Sequence, residues 1–375
     1  MTRASDLGIA IGLLPPGPTG SVLDVPGVGL GHATVWRDEP PPPAGRGIAR
    51  TGVTVLDPGG DVFAAPVPAG GAVLNGAGEC TGLLTAQEWG LAETPVFLTS
   101  TMQVGRVYDA ACELLLEEQP AIADDVIIPI VAECDDSFLS DTRRMQVERG
   151  DVRDALAAAR ASAGVAAVEG AVGAGTGMSC LGYKGGIGTA SRVLPDGSVV
   201  GVLTLTNFGE AGRLTVAGVP AGQLLPERDA NGPVGDQARA PASGRPGAPR
   251  PAGSCIVVAI TDGPLDGTAC QRVARRAGLG LARCGSTAHH GSGEIFLALA
   301  TGLRARRGAA PPRAPVTGRS LDDYFAAVAE ATEEAVINSL LQSVTVTGRD
   351  GNTSRQIPVE ELRSLVAGYP ARSRS

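Results

Sequence analysis

Ser254 stands where a long stretch without apolar periodicity meets a run of core residues. From residue 226 to 253 the chain is rich in Pro, Gly, Ala and Arg, and it then reads Ser-Cys-Ile-Val-Val-Ala-Ile-Thr, a buried strand. Compact domains rarely keep so long a structureless connection unless it is functional or disordered. A cut between Gly253 and Ser254 would give the serine a free α-amine, a general base carried by the nucleophile itself. Gly253 has no side chain to obstruct attack on its carbonyl. The plain alternative is a surface loop running into a strand that happens to begin with serine.

Three further positions could serve that chemistry. Ser292 and Glu294 open a second apolar run, and their i, i+2 spacing on a strand points both side chains to one face; the alternative is a Ser-Gly turn with an exposed Glu. Asn207 ends a strand and could offer its amide N–H to an oxyanion, or serve only as turn chemistry in Asn-Phe-Gly. Glu133, at the end of an apolar run beside Asp135 and Asp136, could pair with a substrate ammonium or belong to a solvated acidic cluster. A metal site is not expected, because His289 and His290 are adjacent on a strand and would point to opposite faces, with His32 far off in sequence. The Gly-rich run from Gly170 to Gly177 misses G-x-G-x-x-G at its last position, so no dinucleotide or other cofactor is expected. Seven scattered cysteines without a C-x-x-C pair suggest neither a disulfide framework nor zinc, and Cys255 and Cys284 lack an identifiable activating partner.

Gly253-Ser254 with its strand, Ser292-Gly293-Glu294 and Thr206-Asn207-Phe208-Gly209 resemble the L-aminopeptidase D-Ala-esterase/amidase and β-peptidyl aminopeptidase family. The segments Val73 to Glu79, Gly175 to Met178 and Lys184 to Thr189 are similar to further family segments in the same order. The resemblance implies a self-cleaving N-terminal-nucleophile serine aminopeptidase or amidase. Its fragments 1–253 and 254–375 would stay associated, in a homo-oligomer that the family makes a tetramer. It implies Ser254 as nucleophile, Ser292 and Glu294 as its hydrogen-bonded network, Asn207 as oxyanion donor and Glu133 as the ammonium site. The substrates implied are small peptides or amino-acid amides and esters. Asp135 departs from the tyrosine often found at that position, which puts any phenol contribution there in doubt. An N-acetylornithine acetyltransferase-like enzyme and an uncleaved binding protein of the same fold are the competing readings.

The elements that must position these residues follow from pattern. Strands are expected at Thr51 to Leu56, Val96 to Ser100 and Ile127 to Cys134, and a hairpin joins Ile187–Leu194 to Val199–Thr206 through Pro-Asp-Gly-Ser. Helices are expected at Val104 to Glu118, at Asp151 to Ala163 with Asp151 as N-cap, at Leu265 to Leu281, from Ser320 to Leu341, and after Pro358. The hairpin, and a pairing of strand 254–261 with 294–301, favour antiparallel layers. The expected fold class is α+β, which the resemblance narrows to one αββα domain of two stacked, largely antiparallel sheets between helix layers, with residues 226–253 a flexible loop before cleavage.

Composition limits the partners. At 375 residues with 43% hydrophobic content the chain can bury a sizeable core. A net charge of −8 argues against a nucleic-acid surface. No apolar stretch is long enough for a membrane span, and the short run Leu7 to Leu14 lacks a basic flank and a cleavage site, so a cytoplasmic protein is expected.

Overall fold

The computed structural model describes residues 2–162, 165–225 and 253–369. The expected loop therefore lies outside the described residues, except for Gly253. Two sheets stack face to face. The smaller holds β1 (Gly29–Asp38), β2 (Ile48–Asp57), β5 (Val96–Ser100) and β6 (Ile130–Cys134), in the order β1-β2-β5-β6. The larger adds β3 (Val67–Gly76), β4 (Leu91–Ala92), β9 (Gly186–Val193), β10 (Val199–Asn207), β11 (Ser254–Thr261) and β12 (Gly293–Ala300), in the order β4-β3-β12-β11-β10-β9. A two-stranded ladder, β7 (Ser179–Cys180) with β8 (Tyr183–Lys184), stands beside them.

Strand alternation divides the apolar side chains between layers. Ile256, Val258 and Ile260 of β11 join Leu98, Ile130 and Ala132 in the core between the sheets. Cys255, Val257 and Ala259 face a helix layer instead. The helices are α1 (Leu83–Trp89), α2 (Val104–Glu118), α3 (Arg149–Ala161), the single turn α4 (Ala221–Leu224), α5 (Gly267–Ala274), α6 (Ala277–Cys284), α7 (Leu321–Leu341) and α8 (Val359–Gly368). α2 and α3 cover the smaller sheet and α5 to α7 the larger, so the layers run helix, sheet, sheet, helix. α7 is buried almost all round, which explains its high apolar content.

The structure corrects several sequence expectations. β11 and β12 pair in parallel, not antiparallel, because α5 and α6 form a crossover between them; β5 and β6 are parallel too, and the remaining strand pairs of the two sheets are antiparallel. The expected helix 265–281 is two helices broken at Arg275 and Arg276, where Arg276 N–H bonds the Val273 carbonyl and the Arg276 guanidinium sits 3.8 Å over the Phe325 ring. Asp151 is the third residue of α3, not its cap; Glu148 caps it, the two forming a reciprocal capping box.

Candidate active site

β11 begins at the centre of the larger sheet, and its first residue is Ser254. On one side its register partner is Asn207 of β10; on the other it is Gly293 of β12. Ser254 is 4% exposed and shares the face of Ile256 and Val258, so its hydroxyl points between the sheets. There it meets the Cys134 thiol at the end of β6. Burial pushes that thiol well above its ordinary range, with Glu133 beside it acting in the same direction, so Cys134 is a neutral neighbour to the serine and not a rival nucleophile.

The Gly253 carbonyl, the one a cut would use, accepts a hydrogen bond from Gly293 N–H at 3.2 Å. Gly253 also has no room for a side chain: a Cβ there would lie 2.8 Å from the Asn207 carbonyl oxygen and 2.9 Å from Phe208 Cα, both backbone.

Ser292 and Glu294 share one face, and Ser292 Oγ donates to Glu294 Oε1. Both are buried, and Glu294 Oε2 has no partner among the described residues. Burial raises the Glu294 pKa, and the Ser292 hydroxyl partly offsets the shift. Glu294 is in register with Cys255 and on the face of Phe296 and Ala298. The carboxylate is thus brought beside the β11 backbone near Ser254, on the face opposite its hydroxyl. Asn75 fixes the approach to this pair, since the two hydrogens of its Nδ2 are shared among the carbonyls of His289 (2.9 Å), His290 (3.2 Å) and Ser292.

Asn207 has both ends of its amide assigned. Its Oδ1 accepts from Ser179 N–H at 2.9 Å, and its Nδ2 donates to the Asp135 carbonyl at 2.7 Å. Among the described residues one Nδ2 hydrogen remains for another acceptor. The Asp135 carboxylate accepts from Ser137 N–H at 2.9 Å and Ser137 Oγ at 2.8 Å. Its side chain closes a local turn and is not a substitute for a phenol.

Glu133 is buried, as is Asp136, whose carboxyl is pushed up to about 7 by burial, while Asp135 is half-buried; Glu133 is not part of a solvated acidic face. Glu133 Oε1 accepts from Glu79 N–H at 2.9 Å and Oε2 from the Thr101 hydroxyl. Burial raises its pKa, with those two bonds pulling the other way. Gly78 lies between this carboxylate and the start of β12, since a Cβ there would be 3.0 Å from Glu133 Oε1 and 3.5 Å from Gly293 Cα. Only a glycine separates Glu133 from the strand that pairs with Ser254.

Ser254, Asn207, Glu133, Ser292 and Glu294 therefore converge on one end of the larger sheet. His32 is elsewhere: its Nδ1 meets Thr54 Oγ1 at 2.9 Å, and burial lowers its pKa to about 4. Asn75, Thr101 and Ser179 are contributors that sequence reasoning did not assign roles. Asn75 at least lay within a quoted motif; Thr101 and Ser179 each reach the site residues through one hydrogen bond, which leaves no spacing signal.

A sequence model described as Peptidase family S58 matches residues 20–354. The beta-peptidyl aminopeptidase BapA of Sphingosinicella microcystinivorans is 37% identical over 373 residues, covering 98% of this chain and 92% of that protein. Among solved structures, a Burkholderia sp. beta-aminopeptidase superposes with a TM-score of 0.84 at 38% identity, covering 99% of this chain and 100% of that one. The L-aminopeptidase D-Ala-esterase/amidase of Ochrobactrum anthropi, described as a prototype serine aminopeptidase with a variant Ntn hydrolase fold, gives 0.85 at 32% identity, covering 98% and 99%.

Proposed function

The chain belongs to peptidase family S58 and is a serine aminopeptidase of the N-terminal-nucleophile hydrolase fold, and from that premise we propose that it matures by cutting itself between Gly253 and Ser254. The observation that carries this reading is the position of Ser254 as first residue of a central strand, with Asn207 opposite and Gly293 N–H already on the Gly253 carbonyl. Ser254 Oγ attacks that carbonyl, the peptide becomes an ester, and water opens it to leave a Gly253 carboxylate and a Ser254 α-amine. The donated N–H of Gly293 stabilises the oxygen as charge develops.

In turnover the α-amine takes the hydroxyl proton while Ser254 Oγ attacks the substrate carbonyl, giving an acyl-enzyme and releasing the amine product. Water then frees the acyl group. A free α-amine ordinarily titrates at ~7.7–8.0, which suits a base at neutral pH. The free Nδ2 hydrogen of Asn207 supports an oxyanion role. Glu294, with an unpartnered oxygen beside the β11 backbone, stabilises the α-ammonium that forms, and Ser292 holds that carboxylate in place. Glu133 receives the substrate's own ammonium. The substrates are small peptides, amides or esters with a free amine; the named activities of the relatives make β-aminoacyl amides the first class to assay, with L- and D-alanyl derivatives beside them. The mature enzyme is a homo-oligomer of the cleaved pair.

Intact-mass analysis under denaturing conditions tests the reading. Fragments of 253 and 122 residues are expected from the wild type and one chain from Ser254→Ala. A wild type that stays whole after prolonged incubation overturns it.

A further inference from the structure

The chain has 31 basic residues, and only one of them, Lys184, is a lysine. It is also one of the most deeply buried large side chains in the protein, at 0% exposure. Its Nζ donates to three backbone carbonyls, of Gly175 at 2.9 Å, Met178 at 2.7 Å and Gly185 at 2.7 Å. Among the described residues no carboxylate forms an ion pair with it. An unpaired buried charge is costly unless fixed dipoles hold it, and here three carbonyl dipoles do. Burial draws its pKa down to about 7. A tetrahedral ammonium can gather three carbonyls on one atom; the planar fork of arginine, used at the other 30 positions, cannot.

The carbonyls it gathers belong to the two ends of one loop, which backbone bonds also pin from outside, Leu181 N–H to the Phe208 carbonyl at 2.6 Å and Lys184 N–H to the Arg355 carbonyl at 2.6 Å. Among the described residues the Lys184 ammonium is the one side chain that joins three of the loop's own carbonyls. β7 and β8 have two residues each, and Ser179 is the register partner of Lys184. The turn between them carries Leu181 at φ 50°, a left-handed conformation uncommon for a residue other than glycine. The same loop presents Ser179 N–H to Asn207 Oδ1. Two groups set the orientation of the Asn207 amide, the Ser179 N–H that meets Oδ1 and the Asp135 carbonyl that meets Nδ2; an amide turned by half a rotation would oppose donor to donor and acceptor to acceptor at both, and would aim Oδ1 at the developing oxyanion.

We propose that Lys184 is a positioning residue for catalysis: it ties residues 175–185 into the shape that presents the Ser179 N–H to Asn207, and so supplies one of the two contacts that set which end of the Asn207 amide serves the reaction. The inference rests on Asn207 acting as oxyanion donor.

A double-mutant cycle on the cleaved, folded enzyme tests it, with self-cleavage checked by intact mass and folding by circular dichroism. Asn207→Ala alone lowers kcat by about 10²–10³. Lys184→Met alone lowers kcat about tenfold or more, with KM within about threefold. In the Asn207→Ala background Lys184→Met has no further effect beyond about twofold, because residues acting through one another are not additive. Losses that multiply overturn the inference, as does an unchanged kcat in Lys184→Met. An unchanged kcat in Asn207→Ala alone defeats the oxyanion reading first, and this inference with it. If Lys184→Met does not fold, Ser179→Pro replaces it in the cycle. That change deletes the relaying N–H without touching the Lys184 side chain, and Met178 before it is already extended (φ −85°, ψ 147°), as a residue preceding proline must be. It also removes the Ser179 hydroxyl's bond to Ser354, so Ser179→Ala is run beside it as the control for that loss. Full kcat in folded Ser179→Pro also overturns the proposal.

Discussion

Glu133→Gln separates substrate recognition from every other role of the site. Both carboxylate oxygens already accept one hydrogen bond, from Glu79 N–H and from Thr101, and a glutamine can keep both by accepting the first and donating to the Thr101 oxygen. The site keeps its shape and loses its charge. A hydrogen bond to a charged group is worth ~1.5–3 kcal/mol, so losing the ammonium's partner should lower kcat/KM by about 10–150-fold. The burial of Glu133 favours the upper part of that span. Self-cleavage involves no substrate amine and should proceed at the wild-type rate. The pKa direction adds a second readout. Burial raises the folded pKa of Glu133, so the native state pays to ionise it, and this group's contribution to stability falls as pH rises past the unfolded carboxylate range. At neutral pH the variant should therefore melt no lower than wild type while being much less active. The assay is initial-rate kinetics on a free aminoacyl amide and its N-acetyl counterpart, with a thermal melt at pH 7. Wild type should prefer the free amine strongly and the variant should lose most of that preference. A variant whose kcat/KM on the free amine stays within twofold refutes the assignment.

Three other outcomes are expected. Ser254→Ala should remain a single chain on a denaturing gel and show no aminopeptidase activity. Glu294→Gln should assemble and cleave but shift the acid limb of kcat/KM to lower pH, because the carboxylate that favours the protonated α-amine is gone; an unmoved limb in a pH–rate profile argues against contact with the amine. A co-expressed fragment in which one uncleavable residue precedes Ser254 keeps the hydroxyl but turns the amine into an amide, so it should assemble and be inactive; turnover equal to that of the free terminus excludes the amine as base.

Local pattern carried much of the fold. Val96–Ser100 and Val104–Glu118 have the bounds the sequence predicts, because each is a clean apolar period between breakers. The start of a strand at Ser254 and the position of Asn207 at a strand end were legible for the same reason. Pairing direction was not. A buried strand reads as a continuous apolar run whether its neighbour is parallel or antiparallel, so β11 and β12 gave no hint of their crossover. The break at Arg275–Arg276 was hidden because apolar spacing continues through it, and the stacking of Arg276 on Phe325 comes from a helix some fifty residues away. The supporting groups were least visible. Glu133 is held by Thr101 and by a backbone N–H at Glu79, and Asn207 by a backbone N–H at Ser179. Backbone partners have no residue signature.

The strand order of the larger sheet bears on what a cut at Gly253 would leave. β12 and β11 lie side by side in the middle, bounded by β3 on one flank and β10 on the other. The downstream piece would supply the two inner strands and the upstream piece the strands on both sides, so the pieces interdigitate like fingers of two hands. Withdrawing one breaks the β10–β11 and β3–β12 ladders together and bares four strand edges inside a core. Activity should then be indifferent to dilution, and the pair should unfold in one first-order event despite being two polypeptides. A downstream piece made alone would meet water with both flanks of its strand pair open, an aggregation hazard. Synthesis as one chain avoids that state, because the inner strands dock while still tethered to the outer ones, at an effective concentration no mixture of separate pieces would reach.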